Sequence, residues 1–187
     1  MNILELAIRP LLLTKAKKIN DCCKEFLKGK VLDVGAGRCY IAKEIQVKNG
    51  IKAVCLDIKD LNQTDMKVVV YDGRKIPFKD SEFDTALVAY VLHHCEDPLK
   101  VLKEVIRVSK ENIVIFEDTK PSPFSMLMDF LSNRLRGVKT PFKFRTEKEW
   151  INNFKKLNLK IVAVKHNVER EWFYPLVEHT MFVVRKL

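Results

Sequence analysis

Short runs rich in Val and Ile recur at residues 31–34, 51–56, 67–71, 84–90 and 112–117, and helix-like stretches at 39–48 and 97–109 lie between them. Apolar runs without polar alternation belong to strands buried on both faces, as in a parallel sheet covered by helices. The alternation therefore predicts an α/β architecture: a doubly wound, seven-stranded, mostly parallel sheet with helices on both faces. Two further strand-like runs, near 159–168 and 178–186, supply the closing pair, with the last strand antiparallel. Local punctuation agrees. Gly50 follows the helix of 39–48, Asp97-Pro98 opens the helix of 97–109, and Thr146 precedes the amphipathic "EKEWINNFKKL". Glu104 and Arg107 lie three apart on one helix, the spacing of a surface ion pair.

A chain of 187 residues is long enough for one core, and residues 1–187 read as a single domain. Residues 1–30 form its N-terminal helical segment. Glu5, Arg9 and Pro10 interrupt the apolar residues of that segment, which argues against a signal peptide or a membrane span. Cys22, Cys23, Cys39, Cys55 and Cys95 form no CxxC pair and no ligand spacing with the four histidines, so no metal site is expected. An odd number of cysteines inside apolar runs points to reduced thiols and a cytoplasmic location. Thirty-four Lys and Arg against 24 Asp and Glu leave a net charge of +10, a field that favours acidic partners without choosing among them.

The first strand runs through "VLDVGAGRCY" into a Gly-x-Gly turn at Gly35 and Gly37 that opens a helix. Such a turn lets backbone approach a nucleotide-like ligand and offers it free N–H groups. Asp57 closes the second strand, where a ribose-binding carboxylate belongs, about twenty residues past the turn. Tyr40 stands where a pyrophosphate fingerprint would place its third glycine. The expected ligand is therefore a nucleoside without phosphates, and a nicotinamide oxidoreductase is disfavoured.

Asp33-Val34-Gly35-Ala36-Gly37 resembles the first motif of the class I S-adenosylmethionine-dependent methyltransferases. The likeness continues through "AVCLDIKD", "YDGRKIPFKDSEFDTALVAYVLHHCEDP" and "LKEVIRVSKENIVIFED". The middle run is similar to the small-molecule and quinone-type group. The resemblance implies S-adenosylmethionine as cofactor and a small, apolar or acidic molecule as methyl acceptor. It implies that Asp33, Gly35 and Gly37 shape the pocket around the methionine part, with Val91 nearby. It places Asp57 on the ribose, Ile58 on the adenine, and Asp72 with the Gly73 backbone at the adenine amine. The chain departs from the family pattern in having Cys39 at a frequent glycine and "SKENI" in place of a Pro-Gly-Gly turn.

Methyl transfer is an in-line displacement that depends above all on alignment and exclusion of water. A base helps a hydroxyl or phenol acceptor, and His94, after the fourth strand, is the candidate, with His93 facing elsewhere. Glu117 and Asp118, ending the fifth strand, are candidates to contact the acceptor. Residues 119–145 read as an inserted substrate cover, with an apolar helical face at Phe124, Leu127, Met128, Leu131 and Leu135. Arg134, Arg136, Lys139, Lys143, Arg145 and Lys148 follow closely, opposed by Glu147. Two other readings stay open: an RNA or protein methyltransferase using the basic segment 134–148, and a non-catalytic, cofactor-binding partner subunit. An anionic membrane surface is a further partner for that segment.

Overall fold

A computed structural model describes residues 3–123, 126–127, 130–131, 134, 137, 141, 143–168 and 178–187, with backbone alone for 3–7. Seven strands form one sheet: β1 (Val31–Val34), β2 (Ala53–Asp57), β3 (Val68–Val70), β4 (Phe83–Ala89), β5 (Ser109–Lys120), β6 (Leu159–Lys165) and β7 (Glu178–Lys186). Their order is β3-β2-β1-β4-β5-β7-β6. The first five run parallel, and β7 lies antiparallel between β5 and β6. The predicted fold class is the one found.

The helices with described bounds are α1 (Ile3–Cys23), α2 (Tyr40–Asn49), α3 (Pro98–Val108) and α4 (Glu147–Lys156), and the described residues 123, 126–127, 130–131 and 134 are also helical. Two local signals set α3 and α4. The Asp97 side chain accepts from Lys100 N at 3.0 Å with Pro98 at the first position, and Thr146 and Glu149 form a reciprocal capping box. Alternation along the strands assigns each face its helices. Val34, Val88, Ile113, Ile115 and Phe182 pack under Val105 of α3 and Trp150 and Phe154 of α4. Val31, Leu87, Val114, Phe116 and Met181 pack under Ile19 of α1 and Ile45 of α2. α1 continues through Pro10, and no described helix is long and apolar enough to cross a membrane.

Two details differ from the sequence expectations. Strand β5 begins at Ser109, so "SKENI" is not a turn. Its polar residues are buried because they are paired: Ser109 Oγ donates to Val105 O at 2.6 Å, and Asn112 Nδ2 donates to Phe26 O at 2.6 Å. Arg185 Nε in turn donates to Asn112 Oδ1 at 2.6 Å. The Glu104–Arg107 pair is more than a surface contact. Glu104 accepts from Ile76 N at 2.9 Å, while Arg107 donates to Ile76 O and Phe78 O, both at 2.8 Å. Together they clamp the loop leading into β4. No helix separates β2 from β3. That stretch is held by Asn62, whose Oδ1 accepts from Thr64 N at 2.8 Å.

Candidate active site at the carboxyl ends of β1 to β4

Strand order reverses between β1 and β4, and the crevice beyond the carboxyl ends of the strands at such a point is where α/β sheets bind ligands. Asp33, Gly35 and Gly37 stand at the end of β1, Asp57 and Ile58 at the end of β2, Asp72 and Gly73 after β3, and Val91 after β4. One sheet edge thus gathers all the residues assigned to the cofactor from sequence.

The glycine turn is fastened to β2. Gly35 N donates to Leu56 O at 2.7 Å, and Gly37 N donates to Asp57 Oδ2 at 2.8 Å. Asp57 Oδ1 accepts from Lys59 N at 3.3 Å. The two glycines answer to different neighbours. A Cβ on Gly35 would lie 2.4 Å from Val91 Cγ2, whereas one on Gly37 would meet nothing within 4 Å. Both have positive φ, +73° and +52°. Gly35 is therefore required by the protein's own packing against Val91. Gly37 is the one that borders open space. Cys39 takes the left-handed conformation too, with φ 63°, at the position where glycine is frequent. It is fully buried beside Cys55, whose thiol is pushed far up by the hydrogen bond to Cys39 and by burial.

Asp33 is the most strained electrostatic element. It is 1% exposed, and its Oδ2 has no hydrogen-bond partner. Burial first, and then the neighbouring Asp57 charge, push its pKa up to about 7, against a smaller lowering by the Ala42 backbone. A buried carboxylate oxygen without a donor, beside open space at Gly37, suits a cationic group such as an amino-acid ammonium. Ile58 is 51% exposed at the same edge, 3.2 Å from where a Cβ on Gly73 would lie, and so presents an apolar surface to a base. Asp72 accepts from Arg74 N and Lys75 N at 2.9 and 3.1 Å, and these hydrogen bonds hold its pKa below the usual carboxylate value. The residues present fit S-adenosylmethionine.

The acceptor side is arranged differently from the sequence expectation. Glu117 is 1% exposed, and both its oxygens serve the protein: Oε1 accepts from Leu92 N at 2.8 Å and Oε2 meets His93 Nδ1 at 2.6 Å. It supports the turn after β4 from beneath and does not face an acceptor. His93 turns inward to Glu117 and stacks on Phe144 at 4.7 Å between centroids, with Lys143 N donating to His93 O at 2.9 Å. His94 is half-buried on the same 3-10 turn, its ring centroid 4.0 Å from that of His93. Replacing Glu117 with Gln should lower stability by about 1–2 kcal/mol, because the charged acceptor for His93 and Leu92 is lost. Urea unfolding followed by Trp fluorescence checks this, and an unchanged midpoint would show that the pair does not hold the turn.

Sequence reasoning missed a second histidine–carboxylate pair on the opposite face of β5. His179 Nδ1 lies 2.6 Å from Asp118 Oδ1, and the His179 ring meets Tyr90 edge-on at 5.2 Å. Lys15 of α1 lies over the Tyr90 ring at 3.8 Å. Burial raises the Asp118 pKa, but the hydrogen bond from His179 and the charges of His179, His93 and Lys15 outweigh it and hold the group below its ordinary value. Alternation along β5 puts Glu117 and Asp118 on opposite faces, but the partner on β7 follows only from the register Asp118↔His179.

Residues 32–116 match the family model described as "Methyltransferase domain". The chain is 29% identical over 146 residues to an uncharacterized protein of Methanocaldococcus jannaschii, covering 77% of this chain and 71% of that one. It is 35% identical over 86 residues to the demethylmenaquinone methyltransferase of Corynebacterium glutamicum, covering 43% of this chain and only 37% of that protein's length. Its fold is similar to that of a SAM-dependent methyltransferase from Methanosarcina mazei, with a TM-score of 0.69, 21% identity, and coverage of 89% of this chain and 97% of that one. Residues 32–116 are thus similar to a methyltransferase domain, and the seven-stranded sheet with the glycine turn at the end of β1 has the fold of S-adenosylmethionine-dependent methyltransferases.

Proposed function

We propose that the protein transfers a methyl group from S-adenosylmethionine to a small apolar acceptor bearing an ionisable hydroxyl, of the quinol type. The observation that carries this reading is an exposed apolar run just beyond β5. Met126, Leu127, Phe130 and Leu131 are 37%, 53%, 44% and 44% exposed, a density of surface hydrophobics that marks a ligand or partner site. The likeness to the demethylmenaquinone methyltransferase of Corynebacterium glutamicum, 35% identical over 86 residues, supports the same class of acceptor. Residues 1–187 act as one domain in this reading, with 119–145 as the cover; Phe124, Met128 and Leu135 of that cover lie outside the described residues.

The cofactor supplies an electrophilic methyl on a sulfonium. Asp33 pairs with its ammonium, Asp57 accepts from the ribose hydroxyls, Ile58 packs on the adenine, and Asp72 with Gly73 recognises the adenine amine. Val91 and the Gly35–Gly37 turn border the methionine part. When bound, the cofactor would supply its sulfonium methyl to the nucleophilic atom of the acceptor, and the carbon–sulfur electron pair would stay on sulfur. His94 takes the hydroxyl proton, and Glu117 acts through His93 as a positioning residue. Five free cysteines agree with a reducing, cytoplasmic setting.

Substituting Asp57 with Ala should weaken binding of S-adenosylhomocysteine by about 1.5–3 kcal/mol, roughly ten- to a hundredfold, because two hydroxyls lose a charged acceptor. Unchanged affinity by calorimetry would remove Asp57 from the ribose. The acceptor is tested with methyl-labelled S-adenosylmethionine offered a short-chain naphthoquinol and bulk RNA separately. Label in the quinol supports the proposal. Label in RNA alone would overturn it in favour of the basic segment 134–148. Two members of that segment already have internal partners: Lys143 Nζ donates to Glu96 O, and Arg145 stacks over Trp150 at 5.3 Å.

A further inference from the structure

We propose a binding site for a divalent transition-metal cation, with Zn²⁺ the best match, formed by Glu147, His166 and Glu178. The three come from separate elements: the first turn of α4, the residue following β6, and the first residue of β7. Their ligand atoms all lie within 4.8 Å of one another. The individual spacings carry the argument. His166 Nδ1 is 3.7 Å from Glu147 Oε2 and 3.5 Å from Glu178 Oε1. Both distances are too long for good hydrogen bonds. They are close to the edge of a tetrahedron of ligands about 2.1 Å from a central ion, about 3.4 Å.

The surroundings prepare the same geometry. Lys120 Nζ holds Glu178 Oε2 at 2.5 Å, which fixes the carboxylate and leaves Oε1 turned towards His166. Glu147 is half-buried on the capped first turn of α4, so its backbone is anchored by the Thr146–Glu149 box. Glu147 and Glu178 also line a cavity of about 460 Å³ with Thr119, Thr146 and Asn152. A three-ligand site beside a cavity leaves a fourth position for water or an anionic ligand, the arrangement of an open zinc site. One imidazole and two carboxylates suit Zn²⁺, Co²⁺ or Mn²⁺, whereas Mg²⁺ prefers an all-oxygen octahedron. The positive charges of Lys120, Lys148 and Lys155 around the cavity oppose a cation, so three direct ligands are needed to hold it. The ligands lie at positions 147, 166 and 178, too dispersed for any spacing motif to reveal.

The test uses the full chain, stripped with chelator, and titrated with Zn²⁺ by calorimetry and with Co²⁺ by visible absorption. The expected result is one equivalent bound, with cobalt bands of four- or five-coordinate character and no thiolate charge-transfer band. Zinc should bind His166→Ala and Glu147→Gln at least about tenfold more weakly. His166 is exposed, so circular dichroism should show both variants folded as wild type. No binding by the wild type, equal binding by His166→Ala, or a thiolate band from the cysteines would each overturn the proposal. None of these readouts involves methyl transfer, so the site stands or falls independently of the acceptor.

Discussion

Replacing Gly35 with Val is expected to destabilise the protein by about 2–5 kcal/mol, whereas the same change at Gly37 should cost only about 1–2 kcal/mol of stability and abolish cofactor binding. The two substitutions share the cost of forcing a β-branched residue into the left-handed region, about 1–2 kcal/mol. They differ in what the new side chain meets. At Gly35 the Cβ would stand 2.4 Å from one Val91 methyl and 2.9 Å from the other. Valine has one stiff side-chain torsion and cannot swing clear, so overpacking adds about 1–3 kcal/mol. At Gly37 the added atoms project into open space, where the proposed function puts the cofactor. Urea unfolding and calorimetry with S-adenosylhomocysteine separate the effects. Adding Val91→Ala to the Gly35 variant should restore part of the lost stability. If it restores none, backbone conformation alone, and not Val91, demands glycine there.

The second large effect concerns Asp33 and pH. Its folded-state pKa of about 7 stands above the ordinary carboxylate value of 3.8. Between those two values the folded protein holds a proton that the unfolded chain has released. The contribution of Asp33 to stability is therefore complete below about pH 4 and is lost as pH rises through about 7, a change on the order of 4 kcal/mol. The wild type should lose stability relative to Asp33→Asn across this window, by on the order of 10 °C in melting temperature. The quantity compared is the slope of melting temperature with pH. Parallel melting profiles from pH 4 to pH 8 would show that Asp33 is not the buried acid described. Cofactor should reverse the trend, because a cation beside Oδ2 favours the charged form.

The strands and helices of the first 118 residues were legible because each element carries its own local signal. Near-continuous apolar runs mark β1, β2 and β4, and Asp97-Pro98 and Thr146 mark helix starts within a residue. The clustering of Asp33, Gly35, Gly37, Asp57 and Asp72 at one edge was legible for a related reason: all lie at the ends of such runs. What the sequence could not disclose depends on register and on packing across elements. Whether Glu117 faces an acceptor or the underside of the 92–94 turn depends on how β4 sits beside β5. The Asp118–His179 pair joins residues 61 positions apart, as the neighbouring Thr119–Thr180 hydrogen bond does. Gly35 and Val91 likewise meet only after β1 and β4 have paired.

The placement of β7 has a consequence for assembly in time. Although β7 is made after β6, it lies inside it, and β6 touches the rest of the sheet only through β7. While the chain is being synthesised, β5 must wait with one edge uncovered until about sixty more residues have been added. That edge includes Val114 and Phe116, which are fully buried once the protein is folded. Strands β1 to β4 can each pair with a neighbour once made, whereas β6 can join the sheet only through β7, which is synthesised last.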